Sequence, residues 1–182
     1  MALIQIPFCA YILSVHLRGV NPDPGRDLLS FWTEGQIEMD LQGANFIWRQ
    51  AEIEFVLRHV ERRTETVSPD IDQMHRDLMN QLPRTPGCPV VVGFVHELSA
   101  HLGGIAGGRL ALVPEHRFTT SLAARSAVLA HELGHVLDRR DRVGRPDGNL
   151  MYHTINLAQP NTRLEPIQIT MVRQRAVELL GQ

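Results

Sequence analysis

Lysine is absent from this chain of 182 residues, so every one of its 18 basic side chains is an arginine. This absence points to genome composition more than to function. Only two cysteines, Cys9 and Cys88, are present. Two are too few for a disulfide framework, and they can either pair or stay free. A formal net charge of -2 and a pI near 6.5 indicate neither a nucleic-acid partner nor a membrane surface as partner.

Long apolar runs, internal repeats and low-complexity segments are missing as well. No apolar run is long enough to span a membrane. The apolar residues 1–17 lack a basic segment and a small-residue cleavage site, so they do not resemble a signal peptide. We therefore expect an intracellular protein, one exported by a non-standard route, or a domain cut from a larger precursor. At this length we predict that residues 1–182 form one domain with its own core, and a monomer.

The most informative motif is His131-Glu132-Leu133-Gly134-His135, which matches the pattern H-E-x-x-H. Residues four apart lie on the same face of a helix, so the two imidazoles can hold one zinc ion. Glu132 lies beside them, where a carboxylate can take a proton from a zinc-bound water. The alternative is a surface helix that carries two ordinary histidines.

The residues around this motif favour a buried helix. Thr119, Thr120 and Ser121 offer hydroxyl groups that can cap its start. Apolar residues follow at helical spacing, and small or apolar residues also fall on the side of the histidines. These positions are Leu122, Leu129, Leu133 and Val136 on the first stripe, and Ala124, Ala127 and Val128 on the second. A helix that is apolar on more than one face is central, and metal binding explains why it buries two histidines and a glutamate.

Asp141 is the candidate for a third ligand, because zinc catalysis uses three protein ligands and one open position. The string from His131 to Asp141 resembles the metzincin signature H-E-x-x-H-x-x-G-x-x-H/D. It departs from the signature at Asp138, where the family has the glycine that permits a left-handed turn. Aspartate is among the few other residues that adopt this conformation at modest cost. The alternative for Asp141 is a solvated charge within the charged run 138–142.

A second resemblance to metzincins lies ten residues beyond Asp141. Asn149-Leu150-Met151-Tyr152 is similar to the Met-turn, a tight turn that places a methionine under the zinc site, and is closest to the matrixin version. Asp147-Gly148 just before it is a turn signal. A single methionine usually fills a core, so its spacing from the zinc motif is what favours the structural role of Met151.

The predicted elements follow the order of a metzincin catalytic domain. This resemblance implies an α+β fold with a twisted mixed sheet, a central zinc-binding helix, the Met-turn and a C-terminal helix. We predict strands over residues 4–15, 53–60 and 90–95, a Gly-rich segment over 104–113 that ends as a strand, and helices over 28–50, 70–81 and 168–180.

The resemblance implies a zinc-dependent endopeptidase, matrixin-like or snapalysin-like, whose partner is a protein or peptide substrate. His131, His135 and Asp141 would hold Zn2+, and Glu132 would act as the general base. An aspartate ligand adds negative charge and weakens the zinc as a Lewis acid. We therefore expect modest activity, with an optimum at higher pH than in relatives with three histidines.

The resemblance also implies where the substrate binds. In metzincins the strand before the zinc helix forms the upper rim of the cleft, so the backbone groups of Leu110, Ala111 and Leu112 would bind the peptide. Tyr152 and His153 would wall the pocket just past the scissile bond. His153 stands where some metzincins have a tyrosine that steadies the oxyanion, and its alternative is an ordinary exposed histidine.

Two other interpretations stay open. The first is an H-E-x-x-H peptidase of another clan, with Glu165 or Asp147 as the distal third ligand. The second is a zinc-stabilised binding module without catalysis. The intact Glu132 argues against the second, because a binding module has no use for that carboxylate.

Overall fold

Five strands and the helices around them make up the described part of the chain. A computed structural model describes residues 2–19, 28–96, 98, 104–115, 121–138, 148–152 and 160–181. The strands are β1 (Ile4–Leu17), β2 (Ile53–Val67), β3 (Val90–Val95), β4 (Ile105–Gly107) and β5 (Leu110–Pro114). The helices are α1 (Glu34–Trp48), α2 (Ile71–Gln81), α3 (Leu122–Asp138) and α4 (Pro166–Leu180), with a 3-10 turn at Arg49–Ala51. Within these ranges no helix is both long and apolar enough to cross a bilayer.

The sheet has the strand order β2-β1-β3-β5-β4. All neighbouring strands are parallel except β4, which pairs antiparallel with β5. The predicted α+β class with a mixed sheet is therefore confirmed. The outer position of β2 explains why this strand continues to Val67, beyond its predicted end at residue 60. A strand at the edge of a sheet can direct charged side chains to water.

Alternating side chains of the central strands supply two separate cores. Ile6 and Phe8 of β1 face α1, α3 and α4, whereas Cys9 and Tyr11 face the side that carries α2. Strands buried on both faces have nearly continuous apolar sequences. This explains why the apolar run Val90–Val95 predicted β3 with the bounds that the structure shows.

A disulfide bond joins the two cysteines of the chain. Cys9 of β1 and Cys88, just before β3, bond with their Cα atoms 5.7 Å apart. The two residues are 79 positions apart in the sequence, so the bond closes a long loop. The pairing that the sequence left open is thus resolved, and the bond lies in the core on the α2 side of the sheet.

Capping residues explain where the helices begin. Thr33 and Gln36 form a capping box at the start of α1, which begins at Glu34 and not at residue 28 as predicted. Asp70 caps α2 by accepting the backbone N–H of Gln73. Ser121 accepts the N–H of Ala124 at the start of α3. Thr119 and Thr120, the other predicted caps, lie outside the described residues.

Candidate metal centre

Three side chains that can bind a metal converge on one stretch of α3. One ligand atom from each of His131, Glu132 and His135 lies within 4.8 Å of the others. The Nε2 atoms of the two histidines are 3.0 Å apart. A tetrahedral zinc ion with Zn–N bonds of about 2.0–2.1 Å would hold two such nitrogens about 3.3 Å apart. The two imidazoles therefore face one another at a spacing that fits a shared ion.

The orientation of His131 is set by a backbone carbonyl. His131 is 4% exposed, and its Nδ1 lies 2.7 Å from the carbonyl oxygen of Leu150. Because a carbonyl only accepts hydrogen bonds, Nδ1 carries a proton, and in the neutral imidazole Nε2 is then the nitrogen with the lone pair that can bind a metal. Ligating histidines are commonly held in this way through the ring nitrogen that does not bind the metal.

The carboxylate of Glu132 packs against the backbone at the start of β4. Glu132 is 3% exposed. A Cβ atom built on Gly104 would lie 2.4 Å from both Cδ and Oε1 of Glu132. Only a glycine leaves room for the carboxylate in this place. The candidate general base and the edge strand β4 are therefore direct neighbours.

The methionine of the predicted Met-turn packs against the zinc-motif helix. Met151 is fully buried, and its Sδ would lie 2.3 Å from a Cβ atom built on Gly134. Trp48 of α1 borders the same spot and donates its indole N–H to the carbonyl of Ala130 at 3.2 Å. Gly134 in the H-E-x-x-H motif therefore permits the close approach of Met151 to α3.

Of the other predicted site residues, Tyr152 and Asp138 belong to the described part of the chain. Tyr152 is half-buried directly after Met151, and its backbone N–H donates to the carbonyl of Asn149. Asp141, Asp147 and His153 lie outside the described residues. Asp138, predicted to open the turn toward Asp141, is the last residue of α3.

Glu165, the distal alternative for the third ligand, is not part of the His131–Glu132–His135 cluster within the described ranges. It precedes the first turn of α4, where it takes part in a capping box with Gln168. This position gives Glu165 a role in starting the helix.

The edge position predicted for Leu110, Ala111 and Leu112 is wrong. These residues belong to β5, which pairs with β3 on one side and with β4 on the other. Their backbone groups are therefore used inside the sheet. Among the described strands, the outer position next to β5 is held by β4, Ile105–Gly107.

A local signal for this arrangement is present in the sequence. Gly108 and Arg109 join β4 to β5, and Gly108 has a φ of +67°. A two-residue connection that begins with a glycine of positive φ is typical of a hairpin. The Gly-rich segment before Leu110 therefore forms the first strand and the turn of a hairpin, and this first strand, β4, lies at the edge of the sheet. The sequence had predicted a single strand here.

A buried ion pair joins α3, the helix of the candidate metal site, to α1. Arg125 of α3 contacts Asp40 through Nη2 at 3.1 Å and through Nε at 3.1 and 3.2 Å. The carboxylate of Asp40 is 1% exposed. Burial raises the pKa of this carboxyl, and the guanidinium of Arg125 acts in the opposite direction. The guanidinium of Arg125 therefore compensates the charge of the Asp40 carboxylate, which is buried between α1 and α3.

Removing the partner of Asp40 should destabilise the protein in a pH-dependent way. We expect Arg125→Met to lower the free energy of unfolding by about 3–5 kcal/mol at pH 8, because it leaves a buried charge without compensation. Because the pKa of Asp40 is raised in the folded state, the native state binds more protons than the unfolded state. The contribution of Asp40 to the free energy of unfolding is therefore present at low pH and is lost as pH rises. The decrease in the free energy of unfolding caused by Arg125→Met should therefore be smaller at pH 5 than at pH 8, as measured by urea denaturation.

The control for this prediction replaces both partners. The double variant Asp40→Leu with Arg125→Met should recover most of the stability, since an apolar pair of similar size can replace a buried ion pair. Equal losses for Arg125→Met at pH 5 and pH 8 would contradict the role assigned to Asp40.

Comparisons with known proteins show what this fold resembles. The sequence matches no protein-family model and none of the curated proteins. Among solved structures, the chain is similar to an archaemetzincin from Methanopyrus kandleri, with a TM-score of 0.58 and 17% identity over 98% of this chain and 97% of that one. It is also similar to metalloproteinase-II from Bacteroides fragilis, with a TM-score of 0.56 and 13% identity over 96% of this chain and 54% of that one.

A third similar structure is a chain from a chaperone–substrate complex, with a TM-score of 0.54 and 13% identity over 98% of this chain and 35% of that one. The chain thus spans about half of the Bacteroides protein and about a third of the chain in the chaperone complex. At these identities the likeness shows a shared fold.

Proposed function

We propose that this protein is a zinc-dependent endopeptidase of the metzincin type. His131, His135 and Asp141 would hold the zinc ion, and Glu132 would act as the general base. The observation that carries this proposal is the pair of Nε2 atoms of His131 and His135, which face one another 3.0 Å apart beside the buried Glu132. The fold shared with an archaemetzincin and a metalloproteinase supports it.

Each residue has a distinct task in this proposal. Zinc, when bound, supplies an acidified water and polarises the scissile carbonyl. Glu132 takes a proton on its carboxylate and passes it to the leaving amine. The carbonyl of Leu150 holds the ring of His131 through Nδ1. Asp141 follows the last residue of α3 by three positions, and the metzincin signature assigns it as third ligand.

The substrate in this proposal is an extended peptide that adds to the edge of β4. Backbone groups of an edge strand bind such a peptide, and alternate side chains enter pockets. Gly104, next to Ile105–Gly107, touches the carboxylate of Glu132, so a peptide on this edge would pass beside the general base. Tyr152 and His153 would wall the pocket just past the scissile bond, with Met151 beneath the metal site.

The finer assignment rests on the sequence motifs. The Leu150-Met151-Tyr152 step and Asp141 favour a matrixin-like or snapalysin-like member. A second candidate, the peptidase of another clan, finds no support at Glu165, which caps α4. Asp147 stays its other candidate ligand.

Zinc content and proteolysis of the purified chain test this proposal together. We expect one zinc per chain, cleavage of casein or of a peptide library, and loss of cleavage with 1,10-phenanthroline that added zinc reverses. Zinc without any cleavage would favour a zinc-stabilised binding module. A chain that binds no zinc would overturn the proposal.

A further inference from the structure

Two buried amide side chains join the Met-turn segment (Asn149–Tyr152) to the first turn of α4. Asn149 is 3% exposed and Gln168 is 1% exposed. Nδ2 of Asn149 donates to Oε1 of Gln168 at 2.8 Å, and Nε2 of Gln168 donates to Oδ1 of Asn149 at 3.2 Å. Buried polar side chains of this kind are costly unless they are bonded, and these two bond to each other.

Backbone N–H groups fix the orientation of both amides. The N–H of Met151 donates to Oδ1 of Asn149 at 2.9 Å. The N–H of Glu165 donates to Oε1 of Gln168 at 2.8 Å. Each amide oxygen therefore accepts one backbone and one side-chain hydrogen bond, so neither amide can rotate by half a turn without losing both. A buried network in which each amide oxygen and nitrogen has a hydrogen-bond partner holds its side chains in place.

This network ends on the peptide group that orients His131. Asn149 holds the N–H of the peptide unit between Leu150 and Met151, and the carbonyl of that same unit accepts from Nδ1 of His131 at 2.7 Å. A peptide unit is planar, so fixing its N–H also fixes the direction of its carbonyl. On the other side, the N–H of Leu150 donates to the carbonyl of Arg163 at 2.7 Å.

We propose that Gln168 is a positioning residue for the metal site, acting through Asn149 and the Leu150–Met151 peptide unit on His131. This inference rests on the proposed function, because it takes zinc as the ion that His131 holds. Gln168 lies 37 positions after His131 and belongs to no motif of the zinc site. Groups that orient a ligating histidine typically change metal affinity by about 10–100-fold when they are mutated.

The test compares Gln168→Met with Gln174→Met. The first keeps the length of the side chain and removes its hydrogen bonds, whereas Gln174 is an exposed residue on the same helix. We measure the zinc dissociation constant by competition with a chromophoric chelator, and the absorption spectrum of each variant loaded with Co2+. Gln168→Met should bind zinc about 10–100-fold more weakly with a changed Co2+ spectrum. Gln174→Met should match the wild type in both.

A purely structural role for Gln168 gives a different result. In that case Gln168→Met would lower the unfolding midpoint of the metal-free protein and leave zinc affinity unchanged, and this result would overturn the inference. The proposed function would still be upheld by a wild type that binds zinc and is active. If Gln168→Met does not fold, Gln168→Glu takes its place. That variant keeps the acceptor for Glu165, loses the donor to Asn149, and should weaken zinc binding in the same direction. A wild type that binds no zinc overturns both proposals.

Discussion

Glu132→Gln is expected to lower kcat for peptide cleavage by about 10²–10⁴-fold while zinc stays bound. Glutamine has the size of glutamate, so it fits the space beside Gly104 that the carboxylate occupies. It cannot accept a proton, and it leaves the Nε2 atoms of His131 and His135 in place. Zinc affinity should therefore change little. The measurement is kcat and KM on a fluorogenic peptide, with zinc content determined on the same samples.

Glu165→Gln is the matched control for this prediction. It makes the same chemical change at a residue that caps α4, so it should keep both zinc and activity. Loss of zinc in Glu165→Gln would favour the peptidase with a distal third ligand. Full activity in Glu132→Gln would show that Glu132 is not the general base.

The second large effect is expected from Gly104→Ala, a change outside the zinc motif. The added Cβ would lie 2.4 Å from Cδ of Glu132, so the carboxylate has to move. A displacement of about 1 Å at a reacting group can reduce the rate by about 10²-fold. We therefore expect kcat to fall by about 10²-fold, with zinc affinity kept, because the three atoms nearest to the added Cβ all belong to Glu132.

Gly107→Ala supplies the comparison, because it places the same methyl group three residues further along, at the end of β4. Among the described residues, its Cβ would meet only Cε of Met79 at 3.6 Å, which is an ordinary contact. This variant should retain nearly full activity. Equal kcat values for the two alanine variants would mean that the contact between Gly104 and Glu132 does not position the base.

Short-range patterns account for the parts of the fold that the sequence predicted well. The run Val90–Val95 is apolar throughout because β3 is buried on both faces. Asp70 marks the start of α2 because a side chain that caps a helix acts within three residues. The pairing of His131 with His135 follows from the period of the helix alone.

Long-range contacts explain what could not be predicted. Whether β5 or β4 lies at the edge depends on pairing with β3, whose residues lie 19 positions before their partners in β5, as in Val91 and Leu110. The contact of Gly104 with Glu132 and the bonds between Asn149 and Gln168 join distant residues, and neither has a local pattern. The third ligand Asp141 stays a prediction, because it lies outside the described residues.

The bond between Cys9 and Cys88 has a practical consequence for following substrate binding in solution. It uses both cysteines of the chain, so the folded protein has no free thiol. A single Gly107→Cys substitution would then be the one site for alkylation by a fluorescent maleimide. The dye would stand on the outer strand of the sheet, where a bound peptide would alter its emission, with no background labelling to subtract.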